Sequence, residues 1–182
     1  MNGKVANLAP LQSPILMTNI NDRKLSTNQL GRLGEIFIDS LATEAGLTIE
    51  TPIPDISGVD RTIKWPINYG PLISHDKHSG SKVFYLQIKS TNIRSSTVKL
   101  KLSAAHHLIQ TNYPAAICVP IYDSKTPVKI VMFHIGNKEM DRILKRLRQC
   151  TKKNKNPRNS MITFNLSKGA HLKPEAEQFK NT

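Results

Sequence analysis

Residues 115–122 (AAICVPIY) form a nearly continuous apolar run, and this run places the strongest constraint on the fold. A short, uniform run of this kind is typical of a β-strand that is covered on both faces. Around it the segments follow the order helix, three strands, then further strands alternating with helices. This order predicts an α/β fold with a mixed β-sheet flanked by helices on both faces. Further strands are predicted at residues 47–52, 97–102, 128–135 and 160–166, and further helices at 103–110 and 137–149.

The most helix-like segment covers residues 26–46. Ser26, with Gln29 three positions later, has the form of a capping box at the N-terminus, and Gly46 is placed to end the helix. Apolar residues recur at helical spacing and predict the buried stripe, which consists of Leu30, Leu33, Phe37 and Leu41. Three charged residues fall together on one flank of this helix, namely Arg32, Glu35 and Asp39.

Two further segments are typical of strands with polar side chains on one face. Residues 83–90 (VFYLQIKS) are rich in β-branched and aromatic residues, and alternation along a strand makes Gln87 and Lys89 neighbours on one surface. The same alternation in residues 59–65 places Asp60 on a polar face. If the two strands pair, Asp60 meets Gln87 and Lys89.

This polar face has two interpretations. The simpler one is the solvated outer face of an antiparallel sheet, on which an aspartate near a lysine contributes little. The other is a functional site. Alternation also predicts an apolar face with Val59, Ile63 and Trp65, and Arg61 is the charged exception on it.

Three motifs in this order resemble the PD-(D/E)XK (restriction-endonuclease-like) nuclease superfamily: GRLGE at residues 31–35, GVD at 58–60 and QIK at 87–89. More narrowly, they resemble its small, largely uncharacterised bacterial branch with GRxGE, GVD and QxK motifs. The resemblance covers residues 27–135, and the order and spacing are more specific than any single triplet. It implies a restriction-endonuclease-like core and a metal-dependent nuclease that hydrolyses phosphodiester bonds of nucleic acid, with DNA as the first expectation. It also implies a role in bacterial defence or mobile-element biology.

The resemblance implies roles for individual residues. Asp60 is the principal ligand of Mg²⁺ or Mn²⁺, Gln87 offers its amide oxygen, and the backbone carbonyl of Ile88 contributes. Lys89 orients or activates the attacking water, and Glu35 reaches the metal directly or through a water. Gln87 departs from the many family members that have Asp or Glu here, and a neutral amide gives the cation less compensating charge. The alternative is therefore a catalytically inactive nuclease-like module that binds nucleic acid within a larger assembly.

Net charge favours a polyanionic partner. Among 182 residues, 26 are Lys or Arg and 13 are Asp or Glu, which gives a net charge of +13. Nucleic acid fits best, and an anionic membrane surface or an acidic protein is the weaker alternative. The densest basic cluster, which is either a track for phosphates or a solvated loop, contains Lys145, Arg146, Arg148, Lys152, Lys153, Lys155 and Arg158. A long predicted hairpin connection adds two candidate nucleic-acid-binding residues, Lys77 and Lys82.

The chain is predicted to form one domain. Its expected parts are an extended N-terminal arm (1–25), a single nuclease-like α/β domain (26–170) and a polar, frayed C-terminal tail (171–182). Cys118 and Cys150 fall in or beside apolar patterns, which favours structural thiols in a reducing compartment.

The arm does not fit a signal peptide, because Pro10 and Pro14 interrupt its apolar residues. No run approaches the ~18 apolar residues that a membrane helix needs. A cytoplasmic location without membrane association or an organic cofactor is therefore expected. Nucleases of this superfamily often pair to cut two strands, so the resemblance is also consistent with a homodimer.

Overall fold

A computed structural model of the chain describes residues 25–52, 58–66 and 82–180. Nearly all of the predicted N-terminal arm, and also Lys77, lie outside the described residues. Within the described part the fold is mixed α/β, with a seven-stranded sheet and a separate two-stranded sheet. None of the described helices is both long and apolar enough to cross a membrane.

The described part of the chain begins with one long helix and continues with nine strands and three further helices. Helix α1 (Thr27–Glu44) is followed by strands β1 (Thr48–Glu50), β2 (Arg61–Lys64), β3 (Val83–Ile88), β4 (Thr91–Asn92) and β5 (Thr97–Lys101). Helix α2 (Leu102–Gln110) leads to the hairpin of β6 (Ala115–Asp123) and β7 (Thr126–His134). The chain continues with helix α3 (Asn137–Lys152), strands β8 (Met161–Asn165) and β9 (Ala170–Leu172), and helix α4 (Ala176–Lys180). Short 3₁₀ turns lie at Pro157–Asn159 and Leu166–Lys168.

The main sheet has the strand order β1-β2-β3-β6-β7-β9, and β4 pairs with β6 beyond the end of β3. Strands β3 and β6 are parallel, as are β4 and β6, whereas the other neighbours are antiparallel. Every residue of β6 except the last is buried. The predicted mixed sheet, with a central strand covered on both faces, is therefore confirmed.

Two apolar clusters cover the two faces of this sheet. Successive residues of β6 belong to different clusters, since Cys118 packs with Ile38 of α1, whereas Ile117 packs with residues of α2, α3, β5 and β8. Phe164 of β8, which is completely buried, belongs to the second cluster. Strands β5 and β8 pair with each other and form a separate layer on this second side.

Helix α1 begins as predicted, with a reciprocal capping box between Ser26 and Gln29. Its buried stripe differs from the prediction, because the buried residues are Gly34, Ile38, Leu41 and Ala42, while Leu30, Leu33 and Phe37 are only half-buried. The helix is rotated so that Gly34 faces the sheet, and this position allows a close approach. Helix α2, predicted for residues 103–110, starts one residue earlier, at Leu102, and has no side-chain cap.

The C-terminal segment is ordered rather than frayed. Strand β9 pairs with β7, and Phe179 of α4 is only 5% exposed within the cluster beneath α1. The expectation of a frayed tail is therefore wrong for residues 171–180, because strand β9 and one buried aromatic ring attach this segment to the body.

Candidate functional site

Asp60 lies immediately before β2, beside the end of β3. Its backbone N–H donates to the carbonyl oxygen of Leu86 at 2.9 Å. In return, the backbone N–H of Ile88 donates to Asp60 Oδ2 at 2.7 Å, and Gln87 Nε2 donates to the same oxygen. The antiparallel pairing of β2 with β3 thus brings the second and third motifs into direct contact.

Gly58 determines how the chain reaches Asp60. Its φ of +94° lies in the region that side chains disfavour. A Cβ at this position would lie 2.7 Å from the carbonyl oxygen of Ala104 in α2 and 2.8 Å from its Cα. Because backbone atoms occupy that space, only glycine fits, and the turn before Asp60 is held against α2.

The polar face around Gln87 is not solvated. Gln87 is 3% exposed and its neighbour Thr62 is 8% exposed, so the interpretation as a solvated outer face is wrong. A buried amide requires hydrogen-bond partners, and Gln87 finds them in Asp60 and, at 3.4 Å, in the carbonyl oxygen of Ile88. The amide nitrogen faces Asp60, so the oxygen would do so only after a half-turn of the amide plane.

The other two predicted catalytic residues, Glu35 and Lys89, carry charges that act on Asp60. Burial raises the pKa of the Asp60 carboxyl above its usual value, and the negative charge of Glu35 adds to this rise. The hydrogen bond from Ile88 and the positive charge of Lys89 lower the pKa but do not cancel the effect of burial. Hydrogen bonds therefore join Asp60 to Gln87 and Ile88, and the charges of Glu35 and Lys89 act on its carboxyl group. Within the described ranges, Lys89 forms no ion pair.

Arg61 was not predicted as a site residue, yet it connects α1 to the site. Its guanidinium donates to both carboxylate oxygens of Asp39, at 2.8 and 2.9 Å, and to Glu35 Oε2 at 3.3 Å. A further N–H donates to the backbone carbonyl oxygen of Asp60 at 2.8 Å. The hydrogen bond to Asp39 raises the pKa of Arg61. Its sequence signal was the single charged exception on an apolar face.

The donor set is compatible with a hydrated divalent cation. No three Asp, Glu, His or Cys side chains are grouped as metal ligands in the described part of the chain. Mg²⁺ nevertheless requires only one or two carboxylates, because it keeps several waters. Asp60 Oδ1 has no hydrogen-bond partner among residues that the structure describes, and can therefore serve as the anchoring ligand. Glu35 is shared with Arg61, which reduces its negative charge toward a cation.

The residues of the predicted basic cluster are all exposed, and so is Lys82. Lys145 and Arg146 line a groove between α3 and β8, and Arg148 is not part of that lining. Arg142, which the prediction omitted, lies in the same groove. Its signal was its spacing of three and four residues from Lys145 and Arg146 on one helix.

Comparisons with known proteins do not assign the chain to a family. No model of a known protein family matches the chain, and no curated protein matches it significantly. We therefore infer function from the contacts around Asp60.

Proposed function

We propose that the protein is a metal-dependent nuclease that hydrolyses phosphodiester bonds of nucleic acid, with DNA as the expected substrate. The proposal depends on one observation, which is that Asp60 contacts Gln87 and Ile88 while the charges of Lys89 and Glu35 act on it. Chain segments that are far apart in sequence supply these groups. They are also the residues that the resemblance to the PD-(D/E)XK superfamily implies.

The order of elements supports a restriction-endonuclease-like core. Helix α1 is followed by three antiparallel strands, and α2 then leads to β6, which is parallel to β3. This arrangement agrees with the core that the resemblance to the PD-(D/E)XK superfamily implies. The candidate site lies where β3 ends, in contact with the turn that α2 supports.

Asp60 would hold Mg²⁺ or Mn²⁺, together with Glu35, the backbone carbonyl oxygen of Ile88 and the side-chain amide oxygen of Gln87. A bound divalent cation neutralises phosphate charge and assists both the attacking water and the leaving oxygen. For the side-chain oxygen of Gln87 to bind the cation, the amide plane must rotate by half a turn. This rotation breaks the hydrogen bond from the amide nitrogen to Asp60.

Lys89 acts as a donor in this scheme. A protonated lysine has three N–H donors and no acceptor, so it can hold the oxygen of the attacking water and stabilise charge that develops on the phosphate. The backbone N–H of Lys89 donates to the carbonyl oxygen of Cys118 at 2.9 Å, which fixes the main chain from which the ammonium extends. Arg61 holds Glu35 beside the same position.

Cleavage assays on labelled DNA and RNA, with Mg²⁺ or Mn²⁺ and with chelator, test the proposal. Asp60→Ala and Lys89→Ala are each expected to reduce the rate by about 100-fold or more, whereas binding in chelator persists. Asp123→Ala and Lys125→Ala are matched controls, because both residues are exposed in the β6–β7 hairpin. Cleavage that continues in chelator, or at an unchanged rate in both site variants, would contradict the proposal.

One contact favours the alternative of a binding module without activity. The Gln87 amide nitrogen already bonds to Asp60 Oδ2, and this pair gives a cation less negative charge than two carboxylates would. This alternative predicts nucleic-acid binding without cleavage in either metal. Cleavage by the unmodified protein therefore distinguishes the two. Gln87→Glu tests the metal site itself, since the added carboxylate should increase the thermal shift caused by Mn²⁺ in either case.

A further inference from the structure

A groove between α3 and β8 concentrates positive charge. Its lining consists of Arg142, Lys145, Arg146, Gln149, Met161, Ile162 and Thr163. Three of these seven side chains are cationic, and none is acidic or aromatic. The surrounding sequence has the same bias, because residues 142–174 contain ten Lys or Arg and no Asp or Glu.

Arg142 is held in place before any ligand arrives. Its guanidinium donates to the backbone carbonyl oxygen of Thr163 and lies 4.5 Å from the ring centroid of Phe164. A guanidinium has five N–H donors, so this arrangement leaves donors for a further acceptor. Because the side chain is already ordered, it loses less conformational freedom when it binds an anion.

Strand β5 extends this charge to the other side of β8. Lys99 pairs with Thr163, and Lys101 pairs with Met161. Paired residues in antiparallel strands lie on the same face, and all four of these residues are exposed. Cations therefore border the exposed face of β8 on both sides, from α3 and from β5.

We infer that the β5–β8–α3 surface, meaning this groove together with Lys99 and Lys101, binds the sugar–phosphate backbone of nucleic acid without reading base sequence. Several cations along an open groove suit a chain of phosphates. The groove lining offers no aromatic ring on which an unpaired base could stack. Backbone contacts fix position on a nucleic acid but carry no sequence information. The inference deepens the proposed function by assigning the surface that holds the substrate.

Binding can be tested by fluorescence anisotropy with two DNA duplexes of unrelated sequence, in chelator and over a range of salt concentrations. In the variant Lys99→Gln/Lys145→Gln/Arg146→Gln, affinity is expected to fall at least about tenfold at low salt. The slope of log affinity against log salt concentration should become shallower by about 0.9 for each phosphate contact that is lost. The control is Lys125→Gln/Lys129→Gln/Lys173→Gln, which removes the same charge from outside the surface. Circular dichroism and thermal unfolding verify that both variants fold.

Equal loss of affinity in the two variants would overturn the inference, and so would a tenfold preference for one duplex. Binding to vesicles with phosphatidylglycerol, or to polyglutamate, together with no binding to DNA, would also overturn it. Chelator separates this result from the proposed activity, because binding is measured whether or not the Asp60 site cleaves.

Discussion

Gly34 of α1 lies directly against Ser90, the residue that follows Lys89. A Cβ at Gly34 would overlap Ser90 Oγ and lie 3.1 Å from Ser90 Cβ. The Ser90 hydroxyl is buried at this contact and has no hydrogen-bond partner in the part of the chain that the structure describes. This close approach therefore positions one neighbour of each residue in the chain. These neighbours are Glu35, which follows Gly34 on the helix, and Lys89, which precedes Ser90 at the end of β3.

Gly34→Ala is expected to lower the free energy of unfolding by about 1–3 kcal/mol, because the added methyl group must displace Ser90. Gly31→Ala is the matched control, since a Cβ there has no atom within 4 Å. Alanine should stabilise that position by up to about 1 kcal/mol through helix propensity. Urea unfolding measures both changes. Adding Ser90→Gly should recover part of the loss in Gly34→Ala, and equal stability of the two single variants would refute the close contact.

Gly58→Ala should be more harmful than Gly46→Ala, although both glycines have positive φ. At Gly46, where nothing lies within 4 Å, the cost is the conformational strain alone, about 1–2 kcal/mol. At Gly58 the new methyl group also meets the backbone of Ala104, so the loss should exceed that of Gly46→Ala by at least about 1 kcal/mol. Chemical denaturation gives the comparison. A smaller loss at Gly58 would show that α2 does not support the turn.

Arg61→Gln is expected to lower the free energy of unfolding by about 2–3 kcal/mol, because it leaves Asp39 and the Asp60 carbonyl without charged hydrogen bonds. The Arg61 side chain is only 13% exposed. Lys64→Gln provides the comparison, since its ion pair with Glu50 is 39% and 47% exposed and should contribute less than about 1 kcal/mol. Thermal unfolding measures both. Similar losses in the two variants would show that Arg61 is an ordinary surface charge.

Asp60→Asn should increase the free energy of unfolding at neutral pH while it abolishes cleavage. Burial raises the pKa of Asp60 in the folded protein, so the ionised form destabilises the fold. This cost is absent below the unfolded-state pKa of about 4 and grows as pH rises through the folded-state pKa. The gain from Asp60→Asn should therefore disappear as pH falls toward about 4. Asp123→Asn, at an exposed position, should not raise the free energy of unfolding. If Asp60→Asn were less stable than the unmodified protein at neutral pH, the ionised Asp60 carboxylate would not be destabilising.

Tyr122→Phe should be neutral or stabilising at neutral pH, because the buried tyrosine hydroxyl has no partner among the described residues. Burial raises the pKa of Tyr122 to about 12, compared with about 10 for an unfolded chain. Ionisation of the phenol therefore does not affect stability below about pH 10 and destabilises the folded state as pH rises toward 12. The variant should lack this part of the alkaline destabilisation. Tyr113→Phe, at a residue that is 47% exposed, is the control in alkaline unfolding experiments.

Local patterns predicted those elements that local physics determines. The capping box of Ser26 and Gln29 fixed where α1 starts, and the apolar run of β6 indicated burial on both faces. The contact of Asp60 with Gln87 could be expected from strand alternation, because pairing of two neighbouring strands brings them to one face.

Features that depend on distant partners could not be predicted in the same way. Alternation in β5 and β8 shows that one face of each is buried, but not that these strands, 60 residues apart, pair with each other. Strand β9 has only three residues, too few for a periodic signal. The ion pairs of Arg61 depend on how α1 crosses the sheet, which no local spacing specifies.

Among the strands that the structure describes, the two outermost in the main sheet are β1 and β9, which have three residues each. A long, flat edge would present a row of free N–H and C=O groups to a neighbouring molecule, whereas these short edges present few. Growth of the sheet from one molecule into the next, by domain exchange or by fibril formation, is therefore disfavoured at both borders. A pairing of two copies at either of these borders is expected to join side-chain surfaces and to leave β1 and β9 uninvolved.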